Sequence, residues 1–156
     1  MKKKYIWLTV LLLLIVAAFG MYREYNRQRK ETISQAPKFQ TTALAILDEF
    51  RLNQQAADQK YSGLDVIVAV TGTIKETIED DGGQLILVLG DSTSLSAVRC
   101  TVDSTFGLNK ESVTRGMEVK VKGNFTGYKA DELGIGADIE MNFCVLDSPE
   151  IKRKQL

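Results

Sequence analysis

The sequence predicts an all-β fold with minor α content: a five-stranded barrel preceded by one amphipathic helix and carried on an N-terminal transmembrane helix. Three observations lead there. A charge-free run fills residues 5–22. The only two prolines, Pro37 and Pro149, bracket a long segment whose β-ladders would keep every backbone donor. Within that segment the apolar stretch LDVIVAV (64–70) is too β-branched for a helix and is followed by four more strand-length runs separated by turns.

Residues 1–4 form a short tail. The charge-free run that follows would extend roughly 27 Å as a helix, enough to cross the hydrocarbon core, with Trp7 and Tyr22 placed for its two interfaces. Its rival is a cleaved signal peptide, because Ala18-Phe19-Gly20 offers small residues at the spacing a signal peptidase uses. The length of the apolar run favours an uncleaved anchor. The chain is neutral with 20 basic and 20 acidic residues, but the charge is divided. Lys2, Lys3, Lys4, Arg23, Arg27, Arg29 and Lys30 oppose Glu24 and Glu31 in residues 1–31, a net +5, which leaves −5 for the rest. Basic residues therefore gather beside the span and the folded part is acidic, which argues against a phosphate-binding surface. Residues 23–40 are polar without apolar period and read as a stalk, and 149–156 as a C-terminal tail.

The domain is placed at 41–148. Thr41 or Thr42 caps a helix over 41–61, with Leu44, Leu47, Phe50, Ala57 and Tyr61 on its apolar face; it packs on the barrel or binds a partner. In the first strand Leu64, Val66, Val68 and Val70 share one face and Ile67 and Ala69 the other, so both faces are buried; Gly72 marks a bulge. Glu79–Gly83 is a hairpin turn, 84–89 the second strand and 97–102 the third, with Val98, Cys100 and Val102 opposite Arg99 and Thr101. A short helix is expected between Phe106 and Gly116. Met117, Val119 and Val121 alternate with Glu118, Lys120 and Lys122 in a fourth strand ending at Gly123, a loop spans 128–136, and 139–146 is the fifth strand. A three-stranded meander, a helical crossover and a final hairpin follow the order of an OB-fold barrel.

The segments FRLNQQAA (50–57), KYSGLDVIVAVTGTIK (60–75), VRCT (98–101), GMEVKVKGNFTGY (116–128) and NFCVL (142–146) resemble, in order and spacing, the tRNA_anti-like family of bacterial OB-fold proteins. The resemblance covers roughly residues 40–147 and implies fold, topology and an N-terminal membrane span more than a function. Family members often carry a cysteine after the fourth strand where this chain has Phe125; Cys100 and Cys144 match the other two cysteine positions.

With no histidine, a histidine triad, a histidine-ligated zinc and a histidine general base are all excluded. The two cysteines make no CxxC pair, the acidic turn at Glu79, Asp80 and Asp81 lacks the spacing of a calcium loop, and Gly134-Ile135-Gly136 has no helix after it to make a phosphate site. No catalytic residue, metal or cofactor is expected. Nucleic acid is disfavoured, because the second and third strands hold no aromatic and only Arg99 is basic. The reading is a non-catalytic envelope module on the bacterial inner membrane, single-pass, its domain outside the cytoplasm. It would contact a protein, peptide or glycan through Arg99, Tyr128, Lys129 and Asp131. An accessory subunit of a membrane complex is the alternative, with single-stranded nucleic acid a third. Cys100 and Cys144 are expected on neighbouring strands, either as a disulfide, favoured outside the cytoplasm, or as two buried thiols.

Overall fold

The long strand β2 (Ile67–Glu79) pairs with a different neighbour along each half of its length in this computed structural model, which describes residues 2–63, 66–106, 108, 110–131 and 135–147, the side chains of 2–6, 8, 9, 26–31 and 33 excepted. The second half of β2 pairs antiparallel with β3 (Leu85–Leu89) and its first half with β5 (Glu118–Ala130). β3 pairs with β4 (Ala97–Val102), β4 runs parallel to β6 (Ala137–Leu146), and β6 returns to β5. The ring β2-β3-β4-β6-β5 is a closed five-stranded barrel with the OB-fold connectivity expected.

A sixth strand, β1 (Phe39–Thr42), lies parallel to β2 with Phe39 opposite Val68 and Thr42 opposite Thr71. It occupies part of the span read as stalk, and its sequence FQTT is too short and polar to announce a strand. Residues preceding it are helical: α1 (Lys2–Ser34) runs unbroken through the apolar run and most of the expected stalk. Along it the described large apolar side chains from Val10 to Tyr22 are exposed. Among the described residues no helix is long and apolar enough to cross a membrane, and the side chains of 5, 6, 8 and 9 in the expected span lie outside the described set. Leu64 and the 149–156 tail also lie outside the described residues.

The single helix expected at 41–61 is two, α2 (Ala43–Leu52) and α3 (Gln54–Tyr61). Thr42 caps the first by accepting from the Ala45 N–H at 3.2 Å. Asn53 ends it and begins the next: its backbone N–H donates to Glu49 O, while its side-chain oxygen accepts from the Ala56 N–H at 3.0 Å. Glu49 ties the pair, accepting from Lys60 Nζ at 2.7 Å and from Tyr61 Oη at 3.0 Å. The turn at Asn53 reorients the apolar stripe, so that Ala43, Ile46, Leu47, Phe50, Ala57 and Tyr61 are buried and Leu44 is exposed. Phe50 and Tyr61 fill the end of the barrel, each worth roughly 2–3 kcal/mol by the area it removes from water.

Two glycines mark close approaches. A Cβ on Gly72 would lie 2.9 Å from Ala43 Cβ and 3.3 Å from Leu89 Cβ, so this glycine admits α2. The register shift itself falls later, between Ile74 and Glu76. Gly123 sits against Cys144 and lets β5 bend instead of ending; bulges at Lys122/Asn124 and Phe125/Gly127 carry the strand on to Ala130. The expected loop at 128–136 thus shortens, and Tyr128 and Lys129 are strand residues. Lys122, expected on a wet face, is buried, its Nζ donating to Gln35 O at 3.1 Å. The crossover helix is replaced by two single 3₁₀ turns, Ser104–Phe106 and Lys110–Ser112. The 79–83 hairpin is as expected: Asp80 Oδ1 accepts from the Gly82 and Gln84 N–H groups, and Gly83 takes φ 76°.

Candidate binding groove

Across the outer faces of β2, β3 and β4 runs an open groove of about 770 Å³, walled on its far side by residues 110–115. Its floor is sheet: Thr77 and Val88 lie in the β2–β3 ladder and Arg99 follows on β4. The β2 bulge carries Lys75, whose Nζ donates to Ser94 O at 2.6 Å and Ser96 O at 3.2 Å and so pins the β3–β4 loop. Arg99 donates through Nε to Asp138 Oδ2 at 2.7 Å, and Lys110 bridges to Glu79 at 3.2 Å. Arg115 is exposed at the lip, with no ion-pair partner among the described residues. Leu95 stands 69% exposed on the opposite lip, a large apolar side chain facing water. No aromatic ring lines the groove among the described residues.

The groove continues at both ends. Past Lys75 and Arg115 it meets a hollow of about 680 Å³ between the start of α2 and Gly90 and Gly116. Past Ser94 it meets a smaller one of about 500 Å³ between α2 and the β5–β6 hairpin, where Ile135 is exposed beside Arg51 and Tyr128. Tyr128 is no free loop aromatic. Its ring lies flat on Phe50, centroids 4.9 Å apart at 14°, and Phe50 in turn stacks on Phe125 at 5.2 Å.

The four expected contact residues do not converge. Arg99 belongs to the groove and Tyr128 to the smaller hollow. Lys129 lies on the outer wall of β5, paired with Glu140 at 2.7 Å, and Asp131 closes the hairpin through its N–H to Gly136 O at 2.9 Å. Arg99 and Lys129 each pair with a β6 carboxylate, Asp138 and Glu140 respectively. The groove is richer in cations than strand-by-strand reading suggested, since Lys75, Lys110 and Arg115 arrive from a bulge and a crossover.

Cys100 and Cys144 do lie on adjacent parallel strands and both face inward, but a register shift between Cys100 and Val102 sets Cys144 beside Val102 and Cys100 beside Met141. Of the two arrangements expected, the structure has them as free, buried thiols. Burial first, and then the hydrogen bond and charge of Cys100, push the Cys144 thiol well above its ordinary pKa. Among the described residues no group of His, Cys, Asp or Glu is placed to hold a metal.

The model of the tRNA_anti-like family matches residues 1–134. The chain belongs to the tRNA_anti-like family. Its fold is shared with a candidate nucleic acid-binding lipoprotein from Klebsiella pneumoniae, 18% identical, with a TM-score of 0.53 over 73% of this chain and all of that one. Asparaginyl-tRNA synthetases from Entamoeba histolytica (15% identity, TM-score 0.37, 54% of this chain) and Pyrococcus horikoshii (21%, 0.34, 59%) are more remote. The match spans about a fifth to a quarter of each synthetase. No curated protein matches the chain. In this tRNA_anti-like protein the Phe125 ring stacks against Phe50, the planes 24° apart.

Proposed function

We propose that this tRNA_anti-like protein is a non-catalytic binding module of the bacterial envelope, tethered through residues 5–22 to the inner membrane with its barrel outside the cytoplasm, and that it holds an extended segment of another envelope protein in the β2–β4 groove. The observation that carries this is the groove itself. It is long, open and floored by β-strands, with an apolar lip at Leu95, a cation at Arg115 that has no ion-pair partner among the described residues, and Lys75, Arg99 and Lys110 matched to carboxylates or carbonyls. Backbone and mixed side chains suit such a lining; bases or sugar rings would call for aromatic platforms. The exposed apolar side chains between Val10 and Tyr22 support the tether, since no described part of the chain covers them.

Single-stranded nucleic acid is the second reading, favoured by one observation: Lys75, Arg99, Lys110 and Arg115 share the face on which OB barrels hold strands. One experiment separates the two. A photo-crosslinking amino acid at Leu95, in the full chain in native membranes, should give one discrete protein adduct that disappears in an Arg115→Glu background. Salt-sensitive oligonucleotide binding at low micromolar concentration, with no protein adduct, would refute the protein-binding reading.

A further inference from the structure

The wall of the barrel opposite the groove bears a local distortion. Met141 and Cys144 both point into the core although three positions apart, and strict alternation would place them on opposite faces. An extra residue is absorbed in between: the β4–β6 register shifts between Cys100 and Val102, and the β5–β6 register shifts at Lys122/Asn124. Phe143 takes φ 52°, and among the described residues it is the one non-glycine residue in the left-handed region. A bulky side chain rarely accepts that backbone, and such outliers persist where the surroundings demand them. The demand here is visible. The bulge turns Phe143 outward onto α1, where its ring meets Tyr25 edge-on, centroids 5.1 Å apart at 71°.

Two further contacts follow along the same helix. Thr32, fully buried, donates from Oγ1 to Asn124 Oδ1 at 2.7 Å. Asn124 is itself oriented by its Nδ2 donating to Val66 O at 3.4 Å. Just beyond the helix, Lys122 Nζ donates to Gln35 O at 3.1 Å. Residues 25–35 are thus fastened at three points over roughly 15 Å of helical rise.

We infer that α1 is a rigid stem seated on the β5–β6 wall, that the Phe143 bulge is its latch, and that the seating holds the groove on the side of the barrel turned away from the stem. In the ring β2-β3-β4-β6-β5 the strand opposite the β5–β6 seam is β3, and β3 lies in the groove floor. Tyr25 comes three positions after Tyr22, about 4.5 Å of rise, so no slack chain separates the apolar run from the first fastening point. Resting on the reading of that groove as the binding site, the stem selects for a partner segment that stands clear of the helix that carries the barrel.

Trypsin reports the latch directly, because Arg27, Arg29 and Lys30 are cleavage sites within the seated stretch. In the full chain in micelles these bonds are expected to resist cleavage. Tyr25→Ala, which lies outside the barrel and cannot unfold it, should speed cleavage about tenfold by raising the open population. Phe143→Gly removes the ring and the strain together; it should speed cleavage likewise while leaving the barrel's melting temperature undiminished. Cleavage of the parent as fast as a free peptide of residues 20–36, or rates untouched by either variant, would overturn the stem. Crosslinking at Leu95 is unaffected by that outcome, so the latch and the groove fail separately.

Discussion

Gly123→Ala tests how the barrel is closed. Gly123 lies opposite Val68 on β2 and under β6, and an added Cβ would sit 2.6 Å from Cys144 Sγ, 3.0 Å from Asn142 O and 3.4 Å from Cys144 Cα. The sulfur contact is about 1 Å inside a normal approach and the carbonyl contact is backbone, so neither partner can swing aside as the tip of a long side chain could. Overpacking of this kind costs about 1–3 kcal/mol. For a domain of roughly a hundred residues that lowers Tm by about 5–15 °C. Thermal melts followed by circular dichroism, with urea titrations checking that the m-value is unchanged, measure it. Adding Cys144→Ala removes the sulfur and leaves Asn142 O in place, so the double variant should cost less than the two singles summed, by about 0.5–1.5 kcal/mol. A single variant within about 1 °C of the parent, or strict additivity in the cycle, would refute the packing argument.

Other consequences can be measured on the same material. Asn53→Ala removes the cap that begins α3 and should cost about 1 kcal/mol in urea unfolding, with Asn53→Asp retaining most of it; equal losses would show that the side-chain oxygen is not what matters. The Cys144 thiol, raised by burial and by Cys100, keeps its proton in the folded barrel at a pH where the unfolded chain has lost it. Its contribution is therefore complete below the ordinary thiol pKa and declines as pH climbs from there toward the folded value, by at most about 1.4 kcal/mol per pH unit. Urea midpoints between about pH 7.5 and 9.5 should fall in the parent and fall less in Cys144→Ala, a window kept below the higher range where Tyr61 and Lys60, both also raised, contribute in the same sense. Parallel slopes would count against the buried thiol.

The barrel strands were legible because their signal is local: Val119 and Val121 against Glu118 and Lys120, or Val98, Cys100 and Val102 against Arg99, state a face within five residues. Features that depend on what lies opposite were not. Gly72 reads as a hinge in the sequence, but its role is set by Ala43 on a helix that comes earlier in the chain. Tyr128 looked like a loop aromatic because the glycines around it are turn residues elsewhere; here they bend a strand, and Phe50 decides where the ring goes. Asn53 carried a readable cap signal that the apolar recurrence spanning it, Leu47 and Phe50 before and Ala57 and Tyr61 after, obscured. The groove was hidden for the same reason. Arg99 was visible on its strand, but Lys75 depends on a bulge, and Lys110 and Arg115 on a crossover whose path no periodicity reveals.

β1 bears on how this barrel stays soluble while it forms. Where β2 turns from β5 toward β3, its other edge along Val68–Thr71 would present a row of bare amides and carbonyls beside buried Val68, Ala69 and Val70, a template onto which any passing chain could add. β1 seals that edge with four residues, and Lys38 N–H extends the seal by donating to Ile67 O at 2.8 Å. Since β1 precedes β2 in the chain, the cover strand leaves the ribosome before the edge it protects. A shortened protein starting after Thr42 would keep all five barrel strands yet lack that cover, and its characteristic failure would be edge-to-edge association between copies.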